Sequence, residues 1–163
     1  MSKDLQAADY AKWLVNHADR EAGEVVTHLK LQKLLYFAQA YHLANFNKAL
    51  FKEDFEAWTH GPVVPEVWHK FRKHGFDSIP RQTRTPRLTD ETADFMRAVL
   101  DKFGSIGAKR LEKITHEHAP WREARGNLPE EASCSTVIRK VAMRDFYANR
   151  IGKEWTGRKI GYA

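Results

Sequence analysis

Eight histidines and a single cysteine are the residues of this 163-residue chain with the most chemistry to offer. His116 and His118, with Cys134 further on, come nearest to a ligand set for zinc. A helical ligand pair would need i, i+4 spacing, and no carboxylate is fixed beside them, so the pattern argues for structural histidines and no metal. His60 and His69 read the same way. Cys134 sits between Ser133 and Ser135 near a helix start, where a dipole would lower a thiol pKa. Neither a glycine elbow nor an orienting base accompanies it, and no catalytic nucleophile is expected. One cysteine excludes an intramolecular disulfide and a four-cysteine zinc site. Ser105 and Ser133 read as helix caps. G-x-G-x-x-G and Walker signatures are missing, so nucleotide binding has no support. The expectation is a protein with no enzyme activity and no cofactor.

A second set of polar residues lies inside an apolar stretch. Thr27 can cap a helix reaching about Asn45, in which Leu31, Leu34, Leu35, Ala38 and His42 share one face and Leu29, Phe37, Ala40 and Ala44 another. A helix apolar on two sides is enclosed by neighbours, which makes this one the centre of a bundle. At about 100° per residue, His28, Gln32, Tyr36 and Gln39 form a polar stripe between those faces. Buried amides and a phenol must find partners, and the expectation is that they tie the helix to a neighbouring loop.

The remaining elements follow from caps and breakers. Apolar spacing from Ala7 to Ala18 predicts a first helix over about 4–20, with Asp4 as cap. Ala49-Leu50-Phe51 and Phe55 to Trp58, flanking Lys52-Glu53-Asp54, predict a small β-hairpin over 48–59. Gly61-Pro62 is expected to stop it, with a glycine at positive φ, and Pro65 to open a third helix that Gly75 ends, with Val67, Trp68 and Phe71 facing inward. Residues 78–86 read as a loop. Thr89 caps a helix closed by Gly104, Ser105 opens another to about His116, and a last helix covers about 136–150. The fold class is mainly α: a single-domain helical bundle over residues 1–150 around a central buried helix, with a small hairpin and a basic, glycine-containing tail over 151–163.

The charge is uneven. Lys and Arg number 27 against 21 Asp and Glu, a net +6. Residues 70–87 hold six basic and one acidic side chain, and residues 139–163 seven and two. Such segments suit an acidic protein or the phosphates of a nucleic acid, and without a reading motif any nucleic-acid binding is expected to be weak. An N-terminus without an apolar signal region, and no stretch of about 20 apolar residues, predict a cytoplasmic protein with no membrane span.

Four segments together resemble one family. Lys30 to Ala44 (KLQKLLYFAQAYHLA) and Phe55 to Trp68 (FEAWTHGPVVPEVW) are similar to the two signature blocks of the Panacea domain, the SocA-like antitoxin or phage-associated GepA-like family. Leu111 to Arg125 resembles that family's Thr-His, Pro-Trp and Ala-Arg run, and Ile138 to Ala148 its closing helix. Ser133-Cys-Ser135 departs from the usual Ile-Ser. The resemblance implies an antitoxin of a type II pair that neutralises a co-encoded protein toxin, its cognate partner from an adjacent gene, by direct contact. It further implies that Leu34, Tyr36, Gln39, Gly61, Pro62, Pro65, Thr115, His116, Pro120 and Trp121 build the scaffold. Charge and apolar character nominate Trp58, Val63 and Val64, with Arg81, Arg84 and Arg87, as the partner-binding residues. The alternative is a nucleic-acid-binding or autoregulatory protein using segments 70–87 and 139–163.

Overall fold

A computed structural model describes residues 4–151. Residues 152–163, which are the expected tail beyond Ile151 and the end of the second basic segment, with Gly152, Gly157 and Gly161, lie outside the described residues. The described residues form seven α-helices and a three-stranded antiparallel sheet: α1 (Ala7–His17), α2 (His28–Phe46), β1 (Phe55–Trp58), β2 (Gly61–Val63), α3 (Pro65–Phe71), α4 (Asp90–Phe103), α5 (Ala108–Glu117), α6 (Ala119–Arg125), β3 (Val137–Ile138) and α7 (Lys140–Ala148). A single 3-10 turn, Arg72–His74, extends α3.

The two-sided apolar pattern of α2 has its expected outcome. Every residue from Lys30 to Tyr41 is buried, and α1, α3, α4, α5, α7 and β2 all pack on this helix. Thr27 Oγ1 accepts from Lys30 N at 3.2 Å, and Asn47, in the left-handed region at φ 53°, ends the helix. An aromatic cluster fills the space towards α4 and α7. Phe37 stacks on Phe103 with centroids 4.2 Å apart, while Tyr36, Tyr41 and Tyr147 meet edge-on or tilted around them. Rings of this size dominate the area removed from water, and their offset and edge contacts add to it.

Local expectations fail where a side chain supplies what a strand or helix would have supplied. The hairpin is displaced: β1 pairs with β2, not with 49–51, in the register Glu56–Val63 and Trp58–Gly61 across the turn Thr59-His60. Gly61 and Pro62 therefore begin a strand where they were expected to stop one. A proline without an N–H is tolerated because the strand order β2-β1-β3 puts β2 at an edge. Leu50 and Phe51 do not pair as a strand, because the Gln39 amide binds their backbone. Glu53 Oε1 accepts from Ala7 N at 3.1 Å, so the expected hairpin turn serves the start of α1 instead. Helix α1 starts at Ala7, with Gln6 and Asp9 forming a capping box, and Asp4 does not cap it.

Ser105 does not open α5. Gly104 to Ile106 makes a tight turn whose Gly104 carbonyl accepts from buried Lys30 Nζ at 2.5 Å, and Gly107 is the cap. Val137 and Ile138, expected in the last helix, pair with the free edge of β1, and α7 starts after them. Helix α6 was not anticipated between His118 and Gly126. Thr89 and Pro65 begin their helices as expected.

Candidate functional site

Three of the four family-like segments, Lys30 to Ala44, Phe55 to Trp68 and Leu111 to Arg125, converge on one place, the junction of α2, the β1–β2 turn, α5 and α6. Gln32 uses both amide atoms on one residue: Oε1 accepts from Val64 N at 2.8 Å and Nε2 donates to Val64 O at 3.3 Å. Gln39 does likewise, taking Leu50 N at 2.7 Å and giving to Phe51 O at 2.8 Å. The stripe thus ties the central helix to the segments on either side of β1 and β2. Each bond serves a buried backbone group that would otherwise cost about 1–3 kcal/mol unpaired.

Between these amides lies Lys33, wholly buried, whose Nζ donates to Pro62 O at 3.3 Å. Burial pulls its pKa down to about 7, partly offset by the Glu112 carboxylate. Gly61, at φ +105°, closes over it. Thr115 is buried against the same glycine, and its Oγ1 donates to Glu112 O at 2.7 Å. His116 stacks on Trp121 at 3.9 Å between centroids, and Trp121 Nε1 donates to Trp58 O at 2.8 Å. His60 Nδ1 stands 3.3 Å from Glu112 Oε1.

Arg125 completes the junction. It is buried, lies 4.7 Å from the Trp121 ring centroid, and donates to Ala57 O, Pro129 O, Glu130 O and Ala132 O. One guanidinium so holds β1, the end of α6 and the following loop together. Further along the same stripe of α2, His118 Nδ1 is 2.8 Å from the Tyr147 hydroxyl, which donates to Tyr36 at 3.2 Å. Burial, aided by Arg150, pushes His118 down to about 4.

Leu34, Tyr36, Gln39, Thr115, Pro120 and Trp121 are buried, as are Gly61 and Pro62, while Pro65 and His116 are half-buried. Among the expected partner-binding residues, Val63 is 3% exposed and Val64 0%, so neither offers a side chain to a partner. Both are buried: β2 packs on α2, and the backbone of Val64 is clamped by Gln32. Trp58 is half-buried, its Nε1 donating to Glu56 Oε1 at 2.8 Å. Arg81, Arg84 and Arg87 are exposed, but their loop is tied to α1: Gln82 N donates to Asn16 Oδ1 at 2.7 Å and Arg81 to Asn16 O at 3.1 Å.

Cys134 is half-buried. Burial raises its thiol pKa, but bonds from Thr136 and the charge of Arg125 outweigh this and bring it below the usual value.

Sequence reasoning gave no role to Lys33 or to the side chain of Arg125. Both are charged side chains within apolar surroundings, and the position of Lys33 was a usable signal: it adjoins Gln32 and lies one helical turn before Tyr36. Trp68, expected to face inward, is half-buried. It packs on Trp58 at 5.5 Å and His28 at 6.4 Å, with the Arg72 guanidinium 5.1 Å from its centroid. The His28 imidazole is held below its usual pKa by burial, by Lys33 and by His74.

The arrangement is a mainly α scaffold locked by buried polar side chains onto loop backbone, and it belongs to the Antitoxin SocA-like, Panacea domain family, whose model matches residues 31–122. That span takes in Gln32, Lys33, Gly61, Thr115 and Trp121. The chain is also similar to Antitoxin SocA of Caulobacter vibrioides (strain NA1000 / CB15N), 29% identical over 109 residues, 59% of this chain. It spans 58% of that relative's length. No solved structure matches the chain. No helix among the described residues is long and apolar enough to cross a membrane.

Proposed function

We propose that this protein is an antitoxin of the type II kind, acting in the cytoplasm by binding and neutralising a protein toxin encoded by an adjacent gene. The observation that carries the reading is the family match, which covers β1, β2, α5 and most of α2. The name of the Caulobacter relative supports it. Neutralisation of this sort needs no bond-making chemistry. Covering the toxin's working surface, or blocking its assembly, is enough, and an interface of roughly 1,600 Å² in total is feasible on a domain of this size. Gln32, Gln39, Lys33 and Arg125 are committed to backbone partners, in keeping with residues that hold a binding scaffold.

Co-expression of the adjacent open reading frame with and without this gene tests the proposal. The expected result is growth arrest by the neighbour alone, rescue by the pair, and a complex that survives purification. A neighbour that is harmless alone, or that never copurifies, would sink it.

A further inference from the structure

The aromatic and basic end of the molecule, where α3 and its 3-10 turn meet the β1–β2 turn, has features that the scaffold does not use. Trp58 and Trp68 are both half-buried and pack on each other, and Arg72 lies over Trp68. His28 contacts Trp68 from α2, and the charge of His74 reaches His28. Two residues beyond His74, after Gly75 at φ +57°, Phe76 stands 94% exposed. A phenyl ring left in water keeps its apolar surface unburied, and the packing of the described residues does not cover it. Lys70, Arg72 and Lys73 are exposed on this helix and its 3-10 turn, where Glu66 is the one acidic residue.

We propose that this end of the domain, centred on Trp68, Arg72, Lys73 and Phe76, is the docking face for an acidic patch on a protein partner. The proposal rests on the antitoxin reading and names the surface and the charge of the toxin that fits it. Tryptophan, phenylalanine and arginine are the residue types that anchor protein interfaces, and positive charge around them steers an acidic partner into place. A nucleic acid fits less well. The faces that would stack on bases are engaged, Trp68 by Arg72 and by Trp58, and the Glu56 carboxylate on the Trp58 Nε1 repels phosphate. The face also differs from the Arg81 to Arg87 loop, which is fastened to α1.

The test is binding of the purified protein encoded by the adjacent gene to four forms of this chain: wild type, R72E/K73E, F76S, and the charge-matched control R84E/R87E. All the substituted side chains are exposed, and unchanged melting temperatures confirm folding. Expected are losses of about 30-fold or more for R72E/K73E and for F76S, the scale of an interface hot spot, and less than threefold for the control. If wild type binds and the first two variants bind equally well, the face is wrong while the antitoxin reading stands. Equal loss in R84E/R87E would show a general charge effect and overturn the face. If wild type binds nothing, both fall together. Two further outcomes overturn the face: a single-stranded oligonucleotide bound at about 150 mM salt and released by these substitutions, or a dimer of this chain that F76S dissolves.

Discussion

Gly61 and Lys33 occupy one another's space: a Cβ built on Gly61 would lie 2.5 Å from Lys33 Cε and 2.9 Å from Thr115 Oγ1. The glycine is required twice over, by its φ of +105° and by the buried amine beneath it. Lys33 reaches the Pro62 carbonyl only because nothing projects from the residue before it.

Substituting Gly61 is accordingly expected to strain the backbone and evict Lys33. G61A should cost about 1–3 kcal/mol from backbone strain alone, and G61V more, because overpacking adds a further ~1–3 kcal/mol. At about 2–4 °C per kcal/mol for a chain of this size, calorimetry resolves both. An unchanged melting temperature with lost toxin neutralisation would move Gly61 from scaffold to contact surface.

Lys33 gives stability a signature on the alkaline side. Its pKa is about 7 folded and about 10.4 in an unfolded chain, so between those values the unfolded state binds more protons. The contribution of Lys33 to stability therefore rises as pH climbs from about 7 to 10.4. K33M removes the titrating group, and its stability relative to wild type should fall progressively across that window. Urea titrations at pH 7 and pH 9.5 check the slope; parallel curves would contradict the burial of the amine.

His118 acts at the acid end. Held at about 4 in the fold against about 6.5 unfolded, it makes the protein lose stability as pH drops from 6.5 to 4, because the unfolded state takes up the proton first. H118N should lose less stability over that interval. The Tyr147 to Tyr36 contact gives a local reading, since acid should alter tyrosine fluorescence in wild type before global unfolding.

The Gln39 clamp predicts a local opening. Q39L leaves Leu50 N–H and Phe51 C=O buried without partners, at about 1–3 kcal/mol for each. Hydrogen exchange should quicken at Leu50 while amides of α4 keep their protection. Equal acceleration everywhere would mean that the amide only stabilises globally.

Nucleic-acid affinity is expected to be no better than non-specific, about 10⁻⁴ to 10⁻⁶ M, and to fall steeply with salt. Fluorescence anisotropy with two unrelated duplexes is the check; submicromolar preference for one of them at about 150 mM salt would revive the regulatory alternative.

Much of the scaffold was legible in the chain. The two apolar faces of α2 announced a buried centre, and the stripe between them announced tethers, because both signals depend only on helical period. Thr89, Pro65 and Gly104 marked their boundaries by local chemistry. The hairpin register was not legible: 49–51 has strand-like residues, and only the distant Gln39 amide decides that its backbone pairs elsewhere. Val137 and Ile138 failed as helix residues for the same kind of reason, a vacant edge of β1 more than 75 positions earlier in the chain. Val63 and Val64 looked like anchors because they are apolar and beside a turn, a description equally true of a core strand. Trp68 went the other way, since a helical tryptophan next to Val67 reads as core until its neighbours are placed.

The locks around α2 share a habit: Gln32, Gln39, Lys33 and Arg125 all grip main-chain carbonyls or amides. A peptide group is the same in every residue, so these grips are blind to the side chains that the held loops carry outward. The frame can stay constant while what is mounted on it is exchanged. A lineage built this way is free to rewrite the outward-facing side chains of residues 129–132 one at a time without renegotiating the fold.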